Sequence, residues 1–279
     1  MKSNPLVTIV IPARYSGRDL PLCIKHIKNQ SYKNIEIIVV DSNSKDKTSD
    51  VCKKNNVTLL QFDNSHLKGR FDAPYKRNLG AKQAKGEFVY YLDADFSLSK
   101  DVVKEAVAAC TLENFKAVIV KEIVSGNGYW TSCRWLEQEC YWGEDNVEAP
   151  RFFNRKIWIK LGGLDEALGA GCDDWDMYQR FLSHGYKAKR ISSTLIHNEG
   201  KIQLIQIIKK AYLFGKDVTK FVKKSPRGGF IYFFPIRPAY IRNWRLFLRY
   251  PHLGIGLVLL RTVEYGAGGM GIIANYFNR

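Results

Sequence analysis

The sequence predicts an α/β fold built on a mostly parallel central sheet, and three observations predict it. Through the first 95 residues, short apolar runs alternate with segments of helical character, the order that places helices on both faces of a parallel sheet. The runs are continuously apolar rather than apolar at every second position, as in strands buried on both faces. Apolar residues make up 46% of the 279, enough to fill a substantial core.

The elements follow in order. Residues 6–11 are a continuous apolar run and read as the first strand. Lys2 ahead of this run gives it the look of a signal peptide, but no small-residue cleavage site follows, so the strand reading is preferred. Residues 18–29 have helical character, ended by Gln30-Ser31; 35–40 is a second strand, 44–54 a second helix and 57–62 a third strand. Pro74 suits the first turn of a helix that ends near Gly86. Residues 88–92 form a fourth strand, 102–112 a helix and 117–124 another strand. The stretch 126–150, rich in Trp, Tyr and Glu, resists assignment. Residues 173–184 read as a helix with Gly185 as its stop.

Beyond Gly200 the character changes. Residues 201–279 hold 14 Lys or Arg against Asp217 and Glu264, a balance of +12 out of the total +16. That asymmetry points to an anionic partner for the tail. Lys209, Lys216, Lys220 and Lys223 recur at helical spacing, as do Arg242, Arg245 and Arg249, while Ile241, Trp244 and Leu248 line another face. The runs 230–234 and 257–260 are apolar but short, and no uninterrupted apolar stretch approaches the roughly 18–20 residues that span a bilayer. The combination describes helices lying at an anionic membrane surface. Six cysteines without CxxC spacing read as reduced thiols of a cytoplasmic protein.

In open α/β sheets ligands bind beyond the carboxyl ends of the strands, which singles out Asp41, Asp93 and Asp95. In extended geometry the carboxylates of Asp93-Ala94-Asp95 share one side and can face one hard cation, Mg²⁺ or Mn²⁺. Alone the pattern is weak: Asp174-Trp175-Asp176 repeats it. Asp41 is placed either to accept from a nucleobase or ribose or to cap the following turn. Arg77 suits a phosphate or an exposed helical face. The acids Asp173, Asp174 and Asp176 follow Gly169-Ala170-Gly171; they favour a helix N-terminus or supply a general base. His197, after a short apolar run, is either structural or completes a metal site.

These motifs, from residue 6 to 200, together resemble the family-2 inverting glycosyltransferases of the GT-A fold. Thr8-Ile9-Val10-Ile11-Pro12-Ala13-Arg14 is similar to that family's first strand and donor loop. Val39-Val40-Asp41-Ser42-Asn43-Ser44 is similar to its second motif, with Ser42 where a second Asp is frequent. Arg77-Asn78-Leu79-Gly80 and Leu92-Asp93-Ala94-Asp95 match its third block. Gly162-Gly163-Leu164-Asp165-Glu166 and Asp173-Asp174-Trp175-Asp176 match its acceptor block, with Asp173 where Glu is usual.

The resemblance implies a donor site of Pro12, Ala13, Arg14, Asp41, Arg77 and Asp93. It implies Mn²⁺ or Mg²⁺ on Asp95, with Asp93 and His197 as further ligands, Asp174 as catalytic base, and Asp173, Trp175 and Asp176 on the acceptor side. It implies a nucleoside-diphosphate sugar, UDP favoured over GDP, and a saccharide or lipid-linked acceptor at the inner face of the cell membrane, without nucleic acid. The expected division is a catalytic domain over 1–200, with a nucleotide-sugar half to about 98 and an acceptor half from 99, followed by a membrane-associating region over 201–279. Two rivals remain: a sugar-1-phosphate nucleotidyltransferase, which would carry a glycine-rich loop where this chain has Ala13-Arg14-Tyr15-Ser16-Gly17-Arg18, and a non-enzymatic basic module binding nucleic acid or membrane.

Overall fold

The computed structural model describes residues 4–65, 71–145, 147–168, 172–224 and 237–277. The apolar run 230–234 and Gly169-Ala170-Gly171 lie outside them. The chain divides into two compact units: Met1–Lys121, Ala149–Glu166 and Asp173–Ile196 form the first, and Glu122–Glu148, Ala167–Cys172 and His197–Arg279 the second.

The expected elements of the first unit form in order: β1 (Val7–Ala13), α1 (Leu20–Lys28), β2 (Ile35–Asp41), α2 (Thr48–Lys54), β3 (Thr58–Gln61), α3 (Ala73–Gln83), β4 (Phe88–Tyr91) and, after a short strand that was not expected, β5 (Phe96–Leu98), α4 (Val102–Thr111). After them come β6 (Ala117–Gly126), α5 (Tyr129–Tyr141), β7 (Phe152–Asn154), α6 (Arg155–Lys160), α7 (Cys172–Ser183) and β8 (Ala188–Gly200). The eight strands run in the order β3-β2-β1-β4-β7-β6-β8-β5. Strands β3, β2, β1 and β4 are parallel. The sheet is mixed beyond them, because β7 runs antiparallel to both β4 and β6.

Strand order reverses around β1, so the crevice for a ligand opens at the carboxyl ends of β1, β2 and β4. There Ala13 stands opposite Asp41 in register. Val7, Ile9 and Ile11 of β1 pack with Leu20 and Ile24 of α1, Phe88 and Tyr90 of β4 and Phe152 of β7 in one core, each such side chain contributing about 1.5–3 kcal/mol by burial. Gly80 sets α3 directly on β1: a Cβ there would meet Val10 Cγ1 at 2.3 Å. Gly185, with φ of +77°, ends α7 as expected.

The second unit holds α5, α8 (Leu204–Lys224), α9 (Pro238–Arg242), α10 (Trp244–Arg249) and α11 (Pro251–Phe277). The unassigned stretch is thus largely a helix. Its pattern hides because α5 buries a charge, Glu137, along with Cys133, Leu136 and Cys140. The arginine stripe 242–245–249 is divided between two helices, because Asn243 interrupts them and donates its side-chain amide to Cys140 O and Ala239 O, each at 3.1 Å. The short run 257–260 belongs to a helix of 27 residues, long and apolar enough by length and composition to cross a membrane. All six cysteines are free and buried.

Glu137 is the electrostatic centre of this unit. It is 2% exposed and accepts from Arg134 Nη1 at 2.6 Å, Arg261 Nε at 2.6 Å, Tyr141 Oη at 2.6 Å and Tyr240 Oη at 2.5 Å. Burial works against its charge, but Arg261 and Arg134 outweigh it and hold the carboxyl well below the usual carboxylate range. Glu137→Ala leaves the half-buried Arg134 and Arg261 short of a partner and is expected to cost about 3–5 kcal/mol, read as a lowered denaturation midpoint. Because the folded pKa is depressed, the stabilisation is present above about pH 4.3 and is lost as pH falls below it.

Candidate active site

Two sequence-distant segments of the first unit converge on Arg77. Its helix, α3, carries it under the carboxyl end of β4, where it is 5% exposed, so the exposed-face reading of Arg77 is set aside. Nη2 donates to Asp93 Oδ1 at 2.8 Å, and Nη1 faces Asp173 Oδ2 at 3.1 Å and Asp174 Oδ1 at 3.4 Å. The guanidinium lies 4.7 Å from the centroid of the Tyr91 ring. A planar cation with several N–H donors can serve three carboxylates at once, which an ammonium cannot do with the same geometry.

Asp93 is held from both sides, since Arg151 Nη1 reaches its Oδ2 at 3.1 Å. Burial opposes its charge, yet Arg77 and Arg151 keep its carboxyl well below the ordinary range. Asp93 and Asp95 do not lie in extended chain. Phe96 N donates to Asp93 O at 3.2 Å, closing a tight turn between β4 and β5, so the two half-buried carboxylates are presented by a turn rather than by strand alternation. Among the described residues no three or more His, Cys, Asp or Glu side chains are grouped to hold a metal ion.

Asp173 and Asp174 open α7 and differ in setting. Asp173 is 0% exposed, whereas the side chain of Asp174 is 15% exposed and lies 2.8 Å from the Tyr91 hydroxyl. That hydroxyl is also 3.0 Å from Pro150 O. Burial, then the charge of Asp174, push the Tyr91 phenol well above its usual pKa, so Tyr91 stays protonated as a donor. Asp176 turns to Arg180, 2.8 Å away, and Arg180 in turn binds Leu161 O and, at 2.7 Å, Gly163 O. Trp175 is half-buried.

The loop 162–166 is fixed from α3. Asn78 donates Nδ2 to Leu164 O at 2.8 Å and accepts from Leu164 N at 2.9 Å, next to Gly163 at φ +70°. Sequence reasoning gave no role to Asn78, Tyr91 or Arg151. Their only signals are an amide next to Arg77, an aromatic two residues before Asp93, and an arginine at the edge of the aromatic strand β7.

At the end of β1, Pro12 is half-buried, Ala13 buried and Arg14 exposed. Asp41 is fully buried and accepts from Ser44 N at 2.9 Å and Ser44 Oγ at 2.5 Å, the capping alternative weighed for it. The loops after β1 and β2 are tied together by Tyr15 N to Ser44 Oγ at 2.7 Å and Gly17 N to Asp46 Oδ2 at 2.9 Å. Lys76, buried on α3, bonds Ala13 O at 2.8 Å and pairs with Asp72 at 3.0 Å.

His197 lies in the second unit. Its Nδ1 faces Glu122 Oε1 at 2.9 Å and Glu199 Oε1 at 3.5 Å. A carboxylate on one ring nitrogen fixes the tautomer and orientation of an imidazole.

The model of the family described as Glycosyl transferase family 2 matches residues 8–166, more than half of the chain. A glycosyltransferase of Streptococcus pneumoniae, GlyG, is 32% identical over 131 residues, covering 45% of this chain and 40% of its own. A Campylobacter jejuni GalNAc(5)-diNAcBac-PP-undecaprenol beta-1,3-glucosyltransferase is 38% identical over 100 residues, 34% of this chain and 31% of its own. The matches thus span less than half the length of these relatives. Among solved structures, a mannosyltransferase from Pyrobaculum calidifontis in complex with GDP-Man and Mn²⁺ superposes with a TM-score of 0.64 at 18% identity, over 99% of this chain and 88% of that one. TarS of Staphylococcus aureus gives 0.57 at 16% identity, over 97% and 54%.

Proposed function

The chain belongs to glycosyl transferase family 2 and is a glycosyltransferase of the GT-A fold, and from that premise we propose that it moves a sugar from a nucleoside-diphosphate sugar to an acceptor hydroxyl with inversion. The observation that carries this reading is the knot around Arg77, where one buried cation gathers Asp93, Asp173 and Asp174 at the open end of the parallel strands.

Asp174 is the proposed base. Its partial exposure favours it over the sealed Asp173, and Tyr91 and Arg77 fix the carboxylate in place. Asp174 accepts the proton of the acceptor hydroxyl as that oxygen bonds to the anomeric carbon. The bond from that carbon to the diphosphate breaks on the opposite face, and the nucleoside diphosphate leaves with the electron pair. Holding both reactants in line supplies much of the rate. Trp175 is assigned to the acceptor side. Asp173 and Asp176 act there through the arginines they hold.

Pro12, Ala13, Arg14 and Asp41 are assigned to the donor nucleoside, UDP in preference to GDP. Among the fold's neighbours, TarS has been solved with UDP-GlcNAc and the mannosyltransferase with GDP-Man and Mn²⁺. Asp93 and Asp95 fit Mn²⁺ or Mg²⁺ in donor chemistry. Such ions take hard oxygens and are commonly held by one or two carboxylates with substrate phosphates, not by an all-protein cage, so a group of three protein ligands is not needed. Because Asp93 is already engaged by two arginines, Asp95 is the principal ligand. When bound, the ion offsets the charge of the departing diphosphate.

Excess EDTA is expected to abolish donor turnover, and Asp95→Ala to weaken metal and donor binding together, read by calorimetry. Undiminished activity in EDTA would remove the metal from this reading.

The acceptor is proposed to be a lipid-linked saccharide or a polyprenyl phosphate at the cytoplasmic face of the cell membrane. The names of two relatives support this, one including a GalNAc(5)-diNAcBac-PP-undecaprenol and one specifying UDP-Glc and a GlcNAc-diphosphoundecaprenol. The division into a nucleotide-sugar half (1–98), an acceptor half (99–200) and a membrane-associating region (201–279) belongs to the same proposal. A hydrolysis screen of nucleotide sugars with Mn²⁺ and Mg²⁺ tests the whole. Nucleoside diphosphate should be released from one donor class, and pyrophosphate in its place would overturn the transfer reading.

A further inference from the structure

The polarity of α11 is inverted for a helix on a protein surface. Its inner face carries Leu253, Leu257, Leu260, Glu264, Ala267 and Gly271 at alternating spacings of four and three, all buried or half-buried. The face turned outward repeats the same spacing with Ile255, Val258, Leu259, Met270, Ile273 and Phe277, every one more than half exposed. Thr262 and Gly266 fill the turns between them, and no charge interrupts the row. The helix's two charges, Arg261 and Glu264, point inward to the ion cluster with Glu137 and Arg134. A helix face that meets water is normally its polar face, and a contiguous exposed apolar strip of this size marks an interaction surface.

The occupant follows from charge. Upstream, Ile241, Trp244 and Leu248 are also exposed, with Arg245 and Arg249 exposed beside them. Residues 237–277 contain a single acid, Glu264, and it is consumed internally. Apolar and aromatic side chains flanked by unopposed arginines complement an anionic lipid surface, whereas a second copy would bring like charges together. The orientation follows from the ion cluster. Arg261 and Glu264 lie near the middle of α11, tied to Glu137 on α5. A bilayer-spanning α11 would have to carry both charges through the lipid and strip Glu137 of Arg261.

We infer that α10 and α11 seat the protein in one leaflet of an anionic membrane, with α11, about 40 Å long, lying in the plane of the bilayer rather than across it. This deepens the proposed lipid-carried acceptor by naming the surface that meets the lipid, and it is tested by binding alone, so its failure is distinct from failure of the transfer reading.

The full chain is mixed with preformed vesicles of phosphatidylcholine, with and without phosphatidylglycerol, and sedimented. Binding should require phosphatidylglycerol and weaken with salt. The double variant Met270→Glu, Ile273→Glu should bind at least about tenfold more weakly, and Arg245→Glu, Arg249→Glu should lose most of the preference for anionic lipid. Unchanged rates of donor hydrolysis in both variants show that the fold is intact. Bound protein should be released by alkaline carbonate, and a C-terminal epitope tag should stay open to protease in sealed vesicles. Protein that remains in the supernatant with anionic vesicles overturns the inference. So does a tag protected inside the vesicles, or a dimer in solution that the Glu substitutions dissociate without any vesicle binding.

Discussion

Asp174→Asn is expected to lower transfer by about 10²–10⁴-fold, the range for loss of a general base, while donor affinity stays near the parent value. The amide is almost isosteric, and its oxygen still accepts from the Tyr91 hydroxyl, 2.8 Å from Asp174 Oδ1. What it cannot do is take a proton from an attacking hydroxyl. Asp173→Asn should behave differently, because Asp173 is fully buried against Arg77. Its loss should appear first as a lower melting temperature. Donor affinity by calorimetry, transfer under saturating donor, and thermal melts separate the two. An active Asp174→Asn beside a well-folded but dead Asp173→Asn would move the base by one residue. Tyr91→Phe adds a control for positioning: if the phenol only orients Asp174, kcat falls modestly and the pH profile of transfer shifts, with donor affinity unchanged.

The parallel-stranded half of the sheet was legible because its physics is local. Buried parallel strands advertise themselves as continuous apolar runs, and β1, β2 and β4 appear where those runs lie. Pro74 in the first turn of α3 needs no tertiary knowledge. The carboxylates could be singled out as well, because the ends of such strands are where ligands bind. What joins them was not visible. Arg77 lies 16 residues from Asp93 and 96 from Asp173, and α3 shows no polar-out pattern to announce that Lys76 and Arg77 are buried. Tyr91 and Arg151 read as ordinary residues of an aromatic strand region until the fold brings them to Asp174 and Asp93. Helix α5 was obscured for a related reason: its inner face includes Glu137, whose partners Tyr240 and Arg261 come from about a hundred residues further on. The nucleotidyltransferase reading could be weighed from the loop after β1, but it was family membership that set it aside.

Arg77→Ala is expected to be the most disruptive single change at this site, costing about 3–5 kcal/mol of stability, since it takes a counterion from the buried Asp173 and from the partly buried Asp93 and Asp174, and reducing transfer in whatever protein remains folded. Arg77→Lys should recover only part of either loss. One ammonium on a flexible stem can approach one of Asp93, Asp173 and Asp174, but lacks the planar fork that faces all three at 2.8, 3.1 and 3.4 Å. The pH dependence distinguishes this electrostatic role from simple loss of packing. In the parent, Arg77 and Arg151 depress the folded pKa of Asp93, so their stabilisation is present above the unfolded aspartate value of about 3.9 and is lost as pH falls below it. Without Arg77 the depression shrinks. The stability gap between parent and variant should therefore be widest at neutral pH and narrow as the solution is acidified from about pH 5 to about pH 3. Urea denaturation of both proteins across that range reads the gap directly. A gap that holds constant down to the lowest pH would mean that Arg77 stabilises the fold through its hydrocarbon and ring contacts with Tyr91, and that the carboxylates do not depend on its charge.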